Sequence, residues 1–177
     1  VEKATEFYLR AADEVKKTED YRLGYLINSN LGMIYAYRGL NEECLSAFQE
    51  AHELAKQSQD SFYIAFSFIY LARIYGNMEQ WDKSISSYKQ AIDISEQAND
   101  KKSLGTALSE LGGIYRAIGK YEMALVCLKR VENEKLYNKR TLPQICLVLG
   151  NAYRSIKKYD SASFYLNKVL VTDNMYT

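Results

Sequence analysis

Apolar side chains fall three and four positions apart along almost the whole chain, the spacing that lines one face of an α-helix. Leu31, Gly32 and Tyr35 return as Leu71, Ala72 and Tyr75, then as Leu111, Gly112 and Tyr115, and after a slightly shorter step as Leu149, Gly150 and Tyr153. A second set follows each glycine position: Cys44, Phe48 and Ala51; Ser84, Tyr88 and Ala91; Ala124, Leu128 and Val131; Ala162, Leu166 and Val169. Small, large and small side chains spaced four and three apart share one helical face, so each unit predicts two amphipathic helices and no strand. Self-similarity at a near-constant step of about 40 residues marks a solenoid, whose units bury their apolar faces against one another.

Leucine and glycine, a tyrosine three residues on, then alanine, an aromatic and alanine: this order resembles the tetratricopeptide repeat. The third copy comes nearest, adding Gly119, Tyr121, Glu122 and Ala124 at its turn and second-helix start. Four copies in register cover residues 21 to 177. The resemblance implies an all-α, right-handed α-solenoid of antiparallel helix pairs, a single array over 1–177 with repeats at 21–60, 61–100, 101–140 and 141–177. Two family positions depart. The expected tryptophan is replaced by Asn28, Phe68, Leu108 and Cys146, which sets an amide at a packing position in the first copy. The closing proline is replaced by Lys56, Glu96, Leu136 and Asn174, and without that breaker the second helix is expected to run on. A step of about 40 residues then predicts helices of roughly 16 to 18 residues, about 25 Å long.

Ala4, Tyr8 and Ala11 precede Cys44, Phe48 and Ala51 by one step, so residues 1–18 read as the second helix of a repeat whose first helix is missing. At the other end, 172–177 runs toward a repeat that does not follow. No polar capping helix is visible at either end, and the chain is expected to be a fragment of a larger protein.

Composition changes this picture little. Of 177 residues, 47% are hydrophobic and 25% charged, ordinary for a globular domain, and Pro143 is the single proline. The apolar run at 62–72 is too short for a membrane span and reads as a helix buried on most sides. Cys44, Cys127 and Cys146 lack metal-ligand spacing: Cys44 is expected as a buried thiol at a helix contact, while Cys127 and Cys146 fall on neighbouring helices, where a bridge is conceivable. His52 reads as a solvent-facing residue of a second helix. Tyr35, Tyr75, Tyr115, Tyr153 and Tyr88 are expected in the packing between helices, and Trp81, Tyr121 and Tyr159 against the turns. No nucleophile and base pair, no phosphate-cradling glycine loop and no metal set appears, so neither an enzyme nor a cofactor is expected.

Net charge is +1, which argues against specific nucleic-acid binding. The two parts differ, however: 10 basic against 16 acidic residues up to position 100, and 13 against 6 beyond it, so the array is expected to carry an electric dipole. Lys129, Arg130, Lys135, Lys139 and Arg140 form the densest basic stretch, explained by cations near a helix C-terminus.

In the family resembled, the first helix of each repeat lines a concave groove. Carried over by offset from the glycine position, that places Leu26, Met33 and Tyr37, then Phe66, Ile69, Arg73 and Asn77, then Arg116, and finally Asn151 and Arg154 at the groove. Arginines at successive repeats suit carboxylates or carbonyls, and the asparagines suit a peptide backbone. The lysine and asparagine pattern that clamps a C-terminal carboxylate is absent: Ser29, Met33, Tyr70, Thr106 and Glu110 hold those positions. The expected function is a protein or peptide interaction scaffold, part of a larger bacterial regulatory or sensor protein, soluble in cytoplasm or periplasm. The partner is another protein or an extended or helical peptide; a peptide or small-ligand receptor is the alternative, and self-association through bare ends is a further expectation.

Overall fold

The computed structural model describes residues 2–173, and among them every regular element is helical. In order these are α1 (Glu2–Val15), α2 (Tyr21–Tyr37), α3 (Asn41–Ser58), α4 (Ser61–Asn77), α5 (Trp81–Gln97), α6 (Lys101–Ala117), α7 (Tyr121–Asn133), α8 (Leu142–Ser155) and α9 (Tyr159–Asp173). They pack as the antiparallel helix pairs of an all-α solenoid, divided into two compact units, Val1–Ser103 and Leu104–Thr177. The first unit includes the opening turn of α6. No helix among the described residues is long and apolar enough to cross a membrane.

What holds each pair together is a small residue on its first helix facing a large one on its second. A β-carbon added at Gly32 would fall 2.5 Å from the ring of Phe48; at Gly112 it would fall 2.8 Å from Leu128 Cγ, and at Gly150 2.7 Å from Leu166 Cγ. Ala72 and Tyr88 hold the same two positions in the second pair and are both buried. There the Ser84 hydroxyl also donates to the Ala72 carbonyl at 2.8 Å, locking α5 to α4.

The turns repeat as faithfully. Each first helix is followed by a residue with positive φ, namely Gly39, Glu79, Gly119 and Lys157. The next amide then reaches back across the end of the helix: Leu40 to Tyr35, Gln80 to Tyr75, Lys120 to Tyr115 and Lys158 to Tyr153, all at 2.8 to 3.0 Å. This is the Schellman closure, which satisfies carbonyls a helix end leaves open. Three of the four first helices are capped at their starts as well. Asp20 accepts from the Leu23 amide, Asp60 from that of Phe62, and Asp100 from those of Lys102 and Ser103. The fourth, α8, has no side-chain cap; Asn138 instead accepts from the Arg140 and Thr141 amides in the turn that precedes it.

Several residues behave otherwise than their spacing implies. Second helices α3 and α5 do run on, but α7 stops at Asn133 and spans only 13 residues, and α8 spans 14. Lys135 takes a left-handed φ of 53°, the Leu136 amide closes on the Val131 carbonyl at 2.9 Å, and the buried Leu136 side chain holds the chain down. The missing proline at 136 is thus replaced by a helix stop of another kind; its counterpart Asn174 lies outside the described residues. Asn28 is buried without loss, because its amide donates to the Gly24 carbonyl at 3.0 Å. Tyr88 and Tyr115 are core residues, whereas Tyr35, Tyr75 and Tyr153 are only half-buried and Tyr159 is 63% exposed, so no turn covers it.

His52 corrects a further expectation. It is half-buried rather than solvent-facing, with Nδ1 2.8 Å from the buried Ser67 hydroxyl and its ring 4.4 Å from that of Phe68. It therefore joins α3 to α4. Burial holds the imidazole below its usual value, opposed by Glu53 and aided by Lys56. All three cysteines are buried and none is in a disulfide.

In the second unit, Lys129, Glu132 and Tyr165 form a compact polar cluster between α7 and α9. The Tyr165 hydroxyl donates to Glu132 at 2.7 Å, Lys129 reaches both partners, and Lys168 approaches Glu132 at 3.5 Å. Burial works against the Lys129 ammonium, yet its bonds to Tyr165 and Glu132 outweigh that and hold its pKa above the ordinary lysine value. Arg130 pairs with Glu134 at 2.7 Å. Two cations of the basic stretch are thus engaged within the fold.

Two measurements test this packing. A β-carbon at Gly105 would fall 2.1 Å from the Leu136 carbonyl oxygen, while at Gly113 it would meet nothing within 4 Å. Urea unfolding should show Gly105→Ala destabilised by about 1–3 kcal/mol or more, and Gly113→Ala stabilised by about 0.5–1 kcal/mol, as expected for mid-helix glycine. The second concerns pH. Because the folded state depresses the His52 pKa, the unfolded chain binds the extra proton. The stability this residue contributes is present in full above its unfolded value of 6.5 and is lost as pH falls from there through the lower folded value. Between pH 7.5 and 5, the wild type should lose more stability than His52→Gln, whose side chain cannot titrate; parallel losses would remove His52 as a cause.

Candidate functional site

The first unit carries a pocket of about 160 Å³ where α2, α3 and α4 meet. Its lining is Met33 and Ala36 from α2, Cys44 and Phe48 from α3, and Tyr70, Arg73, Ile74 and Asn77 from α4. The deep wall is apolar core: Cys44, Phe48 and Ile74 are buried together with Leu71, and Tyr35 and Tyr75 pack around them. The rim is polar and exposed, formed by Arg73 and Asn77 beside Met33. Burial pushes the Cys44 thiol up to about 11 despite a backbone hydrogen bond, so it lines the pocket as a small apolar group rather than a nucleophile.

A row of rings leads away from this pocket along α4. Phe48 and Tyr70 stack nearly parallel at 4.9 Å, Tyr70 lies 6.4 Å from Phe66, and Phe66 lies 4.8 Å from Phe62. Steps of four residues put Phe62, Phe66 and Tyr70 on one flank of the helix. A cation sits over each end: the Arg73 guanidinium 5.4 Å from the Tyr70 ring, and Lys102 Nζ 5.3 and 5.6 Å from Phe62 and Phe66. Beneath the row Tyr25 meets Tyr63 at 4.7 Å, joining α2 to α4. Burial holds the Tyr25 phenol far above its usual pKa, reinforced by the neighbouring Tyr70, so it stays neutral across all working pH.

The residues predicted for the groove divide accordingly. Met33, Arg73 and Asn77 come together at the pocket, and Phe66 belongs to the row of rings. Leu26 and Tyr37 are exposed on α2, Tyr37 by 85%. Ile69 is a correction: it is fully buried, at 0% exposure, because α4 packs on α2, α3 and α5 and little of its circumference is left over. In the second unit Arg116 and Arg154 are exposed and Asn151 is half-buried, with its carbonyl accepting from Ser155 at 3.1 Å. Phe62, Tyr70 and Lys102 were missed, although the spacing 62, 66 and 70 of aromatic residues is plain in the sequence. Among the described residues no group of three or more His, Cys, Asp or Glu side chains is placed to hold a metal ion.

Solved structures share this fold at low sequence identity. BtubC (BKLC) from P. vanneervenii aligns with a TM-score of 0.86 at 17% identity, covering 99% of this chain and 74% of that one. Aspartyl phosphate phosphatase F from Bacillus subtilis aligns at 0.84 and 18% identity over 97% of this chain, which spans only 45% of that protein. A Rap protein complexed with Competence and Sporulation Factor aligns at 0.73 and 17% identity, again over 97% of this chain and 58% of the other. No curated protein sequence matches. A family model described as Tetratricopeptide repeat matches residues 25–97 and 63–133, and a second of the same description matches 143–170. Matches that overlap from residue 25 to 133 cover more than half of the sequence, and the chain belongs to the tetratricopeptide repeat family.

Proposed function

We propose that this chain is a protein interaction scaffold whose α2 and α4 face receives a peptide segment of its partner, the α2–α3–α4 pocket taking one anchoring side chain. The observation that carries this reading is the pocket itself, with an apolar floor of Phe48, Cys44 and Ile74 beneath a rim bearing Arg73 and Asn77. An apolar anchor gains affinity from such a floor, while amide and guanidinium donors at the rim fix the backbone beside it. The size of this pocket favours one side-chain anchor over a drug-sized ligand within it. Sites for drug-sized molecules run to about 300–1,000 Å³, and about 160 Å³ holds little more than one side chain. A solved neighbour complexed with Competence and Sporulation Factor, and a phosphatase neighbour from Bacillus subtilis, support a regulatory setting in a bacterium. Both are longer than this chain, which on this reading is the docking portion of a regulatory or sensor protein.

A displayed library of random peptides, selected on the purified chain, tests the proposal. Recovered peptides should bind the wild type in the micromolar range. Met33→Glu, which sets a carboxylate at the pocket mouth, should weaken them at least tenfold. Lys89→Glu, on the exposed side of α5, should leave them unchanged. Recovery of no binder, or equal loss from both variants, would reject this face as the docking surface.

A further inference from the structure

Cations collect at one end of the second unit. Leu104–Thr177 holds eleven basic against six acidic residues, and five of the eleven stand where its first helices turn into its second ones. Arg116 and Arg154 lie in the last turns of α6 and α8, Lys120 and Lys158 immediately precede α7 and α9, and Lys157 takes the left-handed place in the last turn. All five are exposed, and among the described residues no hydrogen bond or ion pair engages any of their side chains.

Their own helices explain only part of this. A helix C-terminus favours cations, which covers Arg116, Arg154 and Lys157, but a helix start favours acceptors and anions. Lys120 is the N-cap of α7 and makes no side-chain cap. Lys158 holds the same place on α9, since its carbonyl accepts from the Ala162 amide as that of Lys120 does from Ala124. Nor does descent from a common repeat account for the group. The first unit has Ala36 and Gly76 in the arginine places, Leu40 and Gln80 in the lysine places, and Gly39 and Glu79 in that of Lys157. The acids of this end, Glu122 and Asp160, are exposed in the first turns of α7 and α9 and leave an excess of three positive charges over them.

We infer that this end of the second unit is a docking surface for an acidic, extended segment of a partner protein, in a different unit from the pocket. Contacts of Lys129 and Glu132 with Tyr165, and of Glu132 with Lys168, hold α7 beside α9, so Lys120 and Lys158 are neighbours. Packed helices lie about 8–10 Å apart. Three residues of extended chain cover that distance at about 3.3 Å each, so a segment rich in Asp and Glu sets carboxylates against both repeats at once. Met123, 43% exposed one turn into α7, and Tyr159, 63% exposed beside Lys158, add apolar contact among the cations. A peptide can use those two side chains and a phosphate backbone cannot. The chain's net charge of only +1 also disfavours a long polyanion.

Fluorescence anisotropy on the whole chain tests this at about 0.1 M salt, where charges are screened beyond about 10 Å. The probes are a labelled octapeptide, Glu-Asp-Leu-Glu-Asp-Tyr-Glu-Asp, and the same peptide with Gln for Glu and Asn for Asp. The acidic peptide should bind at least tenfold tighter than the amide. Lys120→Glu combined with Lys158→Glu should weaken it at least tenfold. Lys135→Glu combined with Arg140→Glu, an equal change of charge in the turn before α8, should weaken it less than threefold. Carboxylates are favoured at helix starts, so the first pair should melt no lower than wild type by circular dichroism, which separates lost binding from lost fold. Should it melt lower, Lys120→Gln with Lys158→Gln takes its place, with at least a threefold loss expected. Equal binding of the two peptides, binding of neither, or equal losses from the two pairs of substitutions would overturn the inference. So would tighter binding of random-sequence duplex DNA or of phosphatidylserine vesicles, lost on changing Lys120 and Lys158, which would assign these cations to a nucleic acid or a membrane instead.

Discussion

The contact on which the rest depends is that of a small residue on one helix with a large one on its partner. Gly32 beneath Phe48, Gly112 beneath Leu128 and Gly150 beneath Leu166 let the two helices of a pair approach until no methyl group fits between them. Close approach fixes how the pair is joined, because the chain has only a few residues in which to reverse. Hence the positive φ at Gly39, Glu79, Gly119 and Lys157, and the same backward hydrogen bond after each. Two of the four positions tolerate a side chain in that conformation, at a cost of about 1 kcal/mol each. Their retention shows how strongly the pairing dictates the turn.

Close pairing also decides what is left over for binding. Second helices bury their small and large positions against first helices, and their acidic residues, Glu132 excepted, turn to water. First helices are pressed between neighbours, α4 so tightly that Ile69, Ala65 and Ala72 are wholly buried. Only a narrow flank of α4 remains, and it holds Phe62, Phe66, Tyr70 and Arg73. The site is in this sense a remainder of the packing. Its floor, Phe48 and Cys44, is shared with the core that holds the unit together, so the pocket is as rigid as the contact beneath it.

Much of this was legible in the amino-acid sequence, and the parts that were not have physical reasons. The helix pairs followed from Leu31, Gly32, Tyr35 and their returns because those residues meet one another, and contact constrains identity. Met33, Arg73 and Asn77 were found by counting along a helix, which works where one face is plainly free. Ile69 defeated the count, since it lies at the edge of that face and neighbours from three sides cover it. His52 was misjudged because a partner fifteen residues away, Ser67, has no signature in local spacing. The caps Asp20, Asp60 and Asp100 keep the register of the repeats and were readable, but polar residues at helix starts attract less notice than apolar periodicity. The early stop of α7 rests on a left-handed lysine, a conformation that lysine rarely signals.

The placement of the thiols gives the molecule a use beyond its own binding. Cys44 is sealed in the first unit at the contact of α2, α3 and α4, while Cys127 and Cys146 are sealed in the second. With Cys44 at 0%, Cys146 at 1% and Cys127 at 8% exposure, each reacts with a reagent in solution chiefly when its surroundings part. Alkylation followed by mass spectrometry would therefore clock the breathing of each half independently, using sulfur atoms that evolution has already installed at the seams.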